Sequence, residues 1–459
     1  MTLDDSIFEK IRSIVGARYC SRKKEDLVCY AYDATANRYL PDAVVFPKDA
    51  VEISKIIKLA NSEEFYVIPR GSGSGMTGGS VAVKGGVVLV MNRLNRIIEI
   101  DTDNLIAVAE PGVITARFHR EVEKLQLFYP PDPSSAEFST LGGNLAECAG
   151  GPRAVKYGVT RDYVLGLKAV LPTGEIIETG VKTAKGVVGY DLTRLLVGSE
   201  GTLGIITEMT LKLISLPEAV RTMTAVFLEV GKAAETVSEI IRRGIIPRTI
   251  EFMDRASIVC VENYLKIDLP VDAGALLLIE VDGRADETEP AINRLAELCI
   301  NLGAVEVAIA KTKEEAAVIW KARKAISPAL FTYAPDKINE DIVVPRSRIP
   351  DMVRRIEEMK NRTGLTIVSF GHAGDGNIHF NIMLDKKNKE EVKKALAAVE
   401  ELFDYTVELG GTISGEHGIG ITKAPYMPKE VGIDEIELMK KLKRLFDPKG
   451  ILNPGKIFL

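Results

Sequence analysis

The sequence predicts an α+β protein of more than one domain, on three observations. Its 459 residues exceed what one ordinary core holds, and a 46% hydrophobic content can fill sizeable interiors. Residues 1 to about 215 alternate short β-rich runs with glycine-rich turns and a few helices. From about Pro217 the rhythm changes to strands separated by amphipathic helices, the pattern of an antiparallel sheet with helices on one face.

The individual elements follow from the same rhythm. DAVVFP, then AVEISKIIKLANSEE, then FYVIP read as β, α and β ahead of the first glycine loop. GGVVLVM, NRIIEID, LIAVAEPG, LGLKAVLPTG and LGIITEMTLKLI add further strands. In the second part TMTAVFLEV, RTIEFMD and GALLLIEVDG are strands, and KAAETVSEIIRR and ETEPAINRLAELCINL are helices. The helix in KKNKEEVKKALAAVEELFDYTVEL is closed by Gly410 and Gly411. A last helix in EIELMKKLKRLFDPKGILNPGKIFL stops at Asp447-Pro448, and no internal repeat is visible.

Composition removes several function classes. The net charge is −5 with both signs interspersed, so there is no basic face for nucleic acid, and small molecules are the expected partners. The segment MTLDDSIFEKIRS is acidic and amphipathic, unlike a signal or transit peptide, and no apolar run reaches the length of a membrane span. Five cysteines, Cys20, Cys29, Cys148, Cys260 and Cys299, contain no CxxC pair, which argues against disulfides, a cysteine zinc site or an iron–sulfur cluster. The expectation is a cytoplasmic protein that meets a membrane only through a partner.

The loop PRGSGSGMTGG, residues 69 to 79, carries Gly73-x-Gly75-x-x-Gly78 with Glu99 beyond it, formally a dinucleotide fingerprint. A Rossmann unit needs a helix after these glycines, whereas SVAVKGGVVLVM is β-branched and broken by Gly85-Gly86, so that fold is rejected. Successive glycines can still cradle a pyrophosphate with backbone N–H groups. Two more glycine clusters, in PPDPSSAEFSTLGGNLAECAGGPRAVKYG and GSEGTLGIITE, fit one large, extended cofactor better than three unrelated loops.

Three of the four histidines gather late in the chain. His372 and His379 lie in SFGHAGDGNIHFNI, where AGDGNI carries turn chemistry between two strands, so both imidazoles can stand at one end of a hairpin. Glu416, in SGEHGIG, can complete an N,N,O set suited to a divalent Zn, Mn or Fe ion with open positions. Asp375 is read as a turn residue. His417 projects away from Glu416 and is free to act as a base, since histidine titrates near neutrality. His119, in TARFHREVEKL, is read as a solvent-facing helical residue without chemistry, and Trp320 and Tyr333 as packing.

The ordered motifs PRGSGSGMTGG, PPDPSSAEFSTLGGN, GSEGTLGIITE, GHAGDGNIH, SGEHGIG and LFDPKGILNPGKIF resemble the flavoproteins of the p-cresol methylhydroxylase and vanillyl-alcohol oxidase superfamily. Within it the resemblance is to the FAD-dependent D-2-hydroxyacid dehydrogenases, the family of D-lactate dehydrogenase and the glycolate oxidase catalytic subunit, and it covers essentially the whole chain. It implies a two-part FAD-binding domain of the vanillyl-alcohol oxidase type, residues 1–215, an α+β substrate cap, 216–410, and a C-terminal segment, 411–459, returning to the FAD domain.

By motif position the resemblance implies that Arg70, Gly71, Gly73, Ser74, Gly75 and Thr77 hold the pyrophosphate. Pro131, Asp132, Thr140, Gly142, Gly143, Asn144, Gly150, Gly204 and Ile206 would line the flavin, with Asn453 approaching from the tail. GSGSGMTGG lacks the histidine through which some members attach FAD, so non-covalent FAD is expected. The resemblance assigns His372, His379 and Glu416 to metal, His417 to base catalysis, and Arg323 to the substrate carboxylate, which a guanidinium can grip with two parallel hydrogen bonds. Asn381 and Lys337 are further substrate positions. The implied reaction is oxidation of a D-2-hydroxy acid to the 2-oxo acid. Electrons would leave to a separate acceptor: an electron-transfer flavoprotein, an iron–sulfur subunit, a quinone or a cytochrome. The competing expectations are a non-catalytic flavin-domain subunit and a non-redox relative of the alkyl-dihydroxyacetonephosphate synthase type.

Overall fold

The computed structural model describes residues 3–35 and 37–458 and divides into two compact units. The first comprises the chain up to Gly150, Val159–Leu216 and the chain from Glu416 onward; the second comprises Gly151–Gly158 and Pro217–Gly415.

In the first unit β1 (Cys20–Ser21), β2 (Ala43–Val45), α1 (Ala50–Glu63), β3 (Val67–Arg70) and β4 (Val87–Val90) form a sheet of order β1-β2-β4-β3, parallel except for the β1–β2 pair. The Asp49 carboxylate accepts the Glu52 N–H and starts α1. The α1 stripe Ile53, Ile56, Ile57 and Ala60 is buried against Val45, Val67, Val87 and Leu89. No helix separates β3 from β4. The chain instead runs through the glycine loop, as the β-branched residues after it require. A second, antiparallel sheet has β5 (Ile97–Asp101), β6 (Ile106–Ala109), β7 (Val164–Val170), β8 (Ile176–Gly180) and β9 (Ile205–Lys212) in the order β5-β6-β9-β7-β8. In the chain, α2 (Leu141–Glu147), capped by the Thr140 hydroxyl, comes between β6 and β7 and packs on β9.

The second unit is built on a seven-stranded sheet in which every pair is antiparallel. Along the chain come β10 (Ala219–Phe227), α3 (Val230–Arg242), β11 (Thr249–Asp254), α4 (Arg255–Leu265), β12 (Ala275–Gly283), α5 (Ala285–Asn301), β13 (Glu306–Ile309), α6 (Lys313–Lys324), α7 (Ile326–Ala329), β14 (Asp336–Val343), α8 (Ile349–Thr363), β15 (Thr366–Gly371), β16 (Asn377–Leu384) and α9 (Lys389–Glu408). The strand order is β13-β10-β12-β11-β15-β16-β14. It contains a repeat that the sequence does not reveal. Apart from α4, which is inserted between β11 and β12, strand, helix, strand, strand, helix occurs as β10-α3-β11-β12-α5 and again as β14-α8-β15-β16-α9, each time with the third strand placed between the first two in the sheet. The halves meet along β11 and β15, and α3 packs on α8.

Helices α3 and α5 pack on β10 and β12, and α9 packs on β14 and β16. On the face shared by Val226, Leu276, Met253, Val368 and Phe370, the smaller group α4, α6 and α7 adds cover of its own through Ile258, Ala322 and Ile326. This is why LLLIEV in β12 is buried without alternation. Gly151–Gly158 continues the glycine-rich style of the first part in sequence, yet it clusters with the second unit because Lys156 and Tyr157 both bond the Asp282 carboxylate. Among the described residues no helix is long and apolar enough to cross a membrane.

Candidate functional site

The loop after β3 is folded around its own arginine. Arg70 is buried, and its guanidinium donates to the carbonyls of Tyr32 at 2.7 Å and Ser80 at 3.3 Å. Gly73, at φ +72°, lies so close to that guanidinium that a side chain would displace it. Gly142 donates its N–H to Pro111 O at 2.9 Å and leaves no room for a Cβ against Pro111. These close approaches frame a cavity in the first unit.

Eleven of the expected cofactor residues line this cavity: Arg70, Gly71, Gly73, Ser74, Gly75, Thr140, Gly142, Gly143, Asn144, Gly204 and Ile206. Five do not, and each has a local reason or neighbour. The Thr77 hydroxyl donates to His417 O at 3.1 Å, and its carbonyl accepts from Ile421 N–H. Asn453 braces the loop by donating to Gly79 O and Glu200 O at 2.9 and 2.8 Å. Pro131 O is bonded by His119 Nε2 at 2.9 Å, and Asp132 is the residue after it. Gly150 stands where a Cβ would come 2.9 Å from Glu416 Oε2. His119 is therefore not solvent-facing: it belongs to the buried helix face of Thr115, Phe118, His119 and Val122 and stacks near Tyr129.

Two buried charges with no local sequence signal, Glu200 and Lys456, hold the walls. Glu200 occupies the left-handed region at φ 53°, and its two carboxylate oxygens accept the Ile419 and Gly420 N–H groups at 2.7 Å each. Burial pushes its carboxyl up, while those two donors and the charges of Lys456 and Lys423 oppose the rise. Lys456 donates to Gly78 O and Val81 O at 2.7 Å, and burial pushes its ammonium down to about 8. Glu200 thus ties residues 416–420 to the cavity wall, and both Glu416 and His417 line the cavity.

In the second unit the turn between β15 and β16 brings the two histidines together. Asn377 N–H donates to Asp375 Oδ1 at 3.1 Å, which keeps Asp375 in the turn, and Gly376 at φ +93° packs against Val344 O. The His372 and His379 rings stand 5.2 Å apart at 86°, both almost fully buried. His379 pairs across the sheet with Phe370 on one side and Asp341 on the other. Asp341 in turn receives the Gly415 N–H on its carbonyl and its carboxylate, at 3.1 and 3.0 Å. Glu416 is the next residue in the chain. His372, His379 and Glu416 each offer one ligand atom, and these atoms lie within 4.8 Å of one another. His417 Nε2 lies 3.9 Å from Glu416 Oε1.

Behind His372 stands Glu251 on β11. Its Oε1 is 2.7 Å from His372 Nδ1 and its Oε2 is 2.6 Å from Arg323 Nε on α6. Burial alone would raise this carboxyl, but the charges of Arg323 and His372 and the His372 hydrogen bond hold it below the ordinary value. The Arg323 guanidinium also lies 4.9 Å from the Phe370 ring centroid. Asn381 accepts from Asn339 at 2.7 Å and donates to Val368 O and His379 O, so its amide is engaged by the sheet. Lys337 reaches Ser327 Oγ at 3.2 Å, and burial lowers its pKa.

The chain belongs to the FAD linked oxidases: the family described as "FAD linked oxidases, C-terminal domain" matches residues 216–457, and "FAD binding domain" matches residues 41–180. It is 46% identical to glycolate oxidase subunit GlcD of Bacillus subtilis over 98% of this chain and 96% of the relative. It is 36% identical to D-lactate dehydrogenase of Anaerostipes hadrus, over 91% of this chain and 89% of the relative. The D-lactate dehydrogenase of Archaeoglobus fulgidus is likewise 36% identical, over 93% and 95%. Among solved structures, p-cresol methylhydroxylase with substrate bound superposes with a TM-score of 0.80 at 17% identity, over 99% of this chain and 97% of that one. An alkyldihydroxyacetonephosphate synthase gives 0.75 at 20% identity, over 98% and 86%. At those identities the structural likeness is one of fold.

Proposed function

We propose that the protein oxidises a D-2-hydroxy acid or glycolate to the 2-oxo acid, with non-covalent FAD in the first unit's cavity and a divalent Zn, Mn or Fe ion on His372, His379 and Glu416. The observation that carries the reading is the ligand cluster itself, two buried imidazoles and a carboxylate within 4.8 Å, followed directly in the chain by His417. Its N,N,O donor chemistry suits such an ion. The names of the relatives, glycolate oxidase subunit and D-lactate dehydrogenase, supply the substrate class.

When bound, FAD supplies a hydride acceptor for Cα at flavin N5, and the ion supplies a Lewis acid toward the substrate hydroxyl. His417 takes the hydroxyl proton as general base. Arg323 holds the substrate carboxylate, with Lys337 as a second cation, so that Cα is oriented for transfer. Asn381 steadies His379 through its backbone carbonyl. A separate acceptor, an electron-transfer flavoprotein, an iron–sulfur subunit, a quinone or a cytochrome, then removes the electrons, a reading supported by the word "subunit" in the Bacillus relative's name.

The test is anaerobic mixing of the metal-replete flavoprotein with D-lactate, L-lactate, glycolate or D-2-hydroxyglutarate while oxidised-flavin absorbance is followed. Bleaching by a D-acid or by glycolate that chelation abolishes is expected. A flavin that stays oxidised with every acid, FAD and metal being bound, would replace this reading with a structural subunit or a non-redox reaction.

A further inference from the structure

Glu251 touches two groups that the proposed function uses for different tasks, and neither contact is incidental. The carboxylate is completely buried and spends one oxygen on each partner: Oε1 on His372 Nδ1, Oε2 on Arg323 Nε. A carboxylate in this arrangement only accepts, so Nδ1 of His372 carries the proton and Nε2 is left with the lone pair that a metal requires. Arg323 is 5% exposed. Its Nε meets Oε2 as an ion pair with the N–H turned off the line to the oxygen, and Nη2 has no hydrogen-bond partner among the described residues. An unpartnered, buried guanidinium nitrogen is expensive unless an acceptor arrives. Phe370 backs the guanidinium and stands 5.3 Å from the His379 ring, so the same aromatic side chain packs against both halves of the arrangement.

We propose that Glu251 is a positioning residue that serves two sites at once: it locks His372 in the Nδ1–H tautomer for metal binding, and it turns Arg323 so that Nη2 is presented to the carboxylate of the hydroxy acid. This rests on the proposed function, because it takes His372 as a ligand and Arg323 as the carboxylate anchor. Its consequence is that metal affinity and substrate affinity share one determinant outside the ligand set.

The experiment compares Glu251→Gln, Glu251→Asp and Arg323→Lys with the parent protein, each loaded with FAD and stripped of metal. Glutamine keeps the shape but can accept only on one side, and its amide N–H₂ cannot pair with the guanidinium. Titration with Mn²⁺ and Zn²⁺ should show E251Q binding about 10–100-fold more weakly, the usual consequence of removing a group that orients a ligand. R323K should raise KM while leaving metal affinity within about twofold, because lysine cannot reproduce the planar fork. E251Q should raise KM as well. In the metal-free protein, the ¹⁵N spectrum of four histidines should show His372 as the Nδ1–H tautomer, and E251Q should show it mixed.

If E251Q fails to retain FAD, E251D takes its place: it keeps the charge but is too short to serve both partners, and metal affinity or KM must change. Parent-like metal affinity, KM and tautomer in the folded variant overturn the inference while leaving the proposed function standing. A parent protein that binds neither ion overturns the proposed metal site itself, a result no Glu251 variant is needed to see.

Discussion

Glu200→Gln tests how residues 416–420 are held against the cavity. Glu200 offers one oxygen to Ile419 N–H and the other to Gly420 N–H, both at 2.7 Å and both away from water. Glutamine preserves one acceptor and turns N–H₂ toward the second donor. The loss is one hydrogen bond to a charged group, about 1.5–3 kcal/mol, and one buried N–H left orphaned, about 1–3 kcal/mol before relaxation. A net weakening of about 3 kcal/mol corresponds to roughly a 100-fold rise in the open fraction of the segment, since 1.4 kcal/mol is a decade. Hydrogen exchange read by mass spectrometry on peptides covering 416–421 should therefore quicken by about two decades, whereas peptides from α1 keep their protection. The rate of flavin reduction should fall by about 100-fold as well, the scale on which a displacement of about 1 Å acts. Unchanged exchange at Ile419 and Gly420 in a folded E200Q would refute the reasoning, whatever the activity.

Other outcomes follow from the same geometry. Gly142→Ala forces a methyl onto Pro111 and should weaken FAD binding by about tenfold or more, overpacking typically costing about 1–3 kcal/mol; parent-like FAD affinity by fluorescence titration would contradict it. His417→Ala should abolish flavin reduction by any hydroxy acid while FAD content and Mn²⁺ affinity persist, since His417 lies outside the ligand set. Lys456, with a folded pKa of about 8 against an unfolded value of 10.5, is a base whose charged form the fold disfavours. The unfolded chain then holds more protons between these values, so stability should rise with pH from about 8 to 10.5, by up to about 2.5 × 1.36, or about 3 kcal/mol. The urea midpoint of the parent should rise relative to that of Lys456→Met across that window if Lys456 is the source; a constant difference would remove it.

Much of the site was legible because its signals are local. The paired histidines around a Gly-Asp turn and the glycine loop with no helix behind it both come from short-range backbone chemistry. So does the antiparallel character of the second sheet. What escaped depends on partners far away in sequence. Glu251 in TIEFMD is one acid in an apolar strand, and its two partners lie 72 and 121 positions onward. Glu200 stands between glycines in GSEGTLGIITE with nothing local to mark it, although its carboxylate serves residues 219 and 220 positions away. His119 was misplaced because its neighbours Arg117, Arg120 and Glu121 are charged, while the helix turns Thr115, Phe118, His119 and Val122 inward as one stripe. Asn453 and Thr77 sit beside the cofactor loop, but their hydrogen bonds go to the protein.

The doubled order of strands in the second unit has a consequence for where chemistry can arise. The ladder joining the halves has only two register pairs, Phe252 with Gly371 and Met253 with Phe370. Glu251 and His372 are the next residues along that seam, and their side chains continue it after the backbone ladder has ended. Neither half of the sheet owns the pair. A single half folded alone would present a lone acid or a lone imidazole, and a slip of one residue at the seam would send the two to opposite faces. The contact on which metal and substrate are proposed to depend exists only in the fused pair of halves, held in one register.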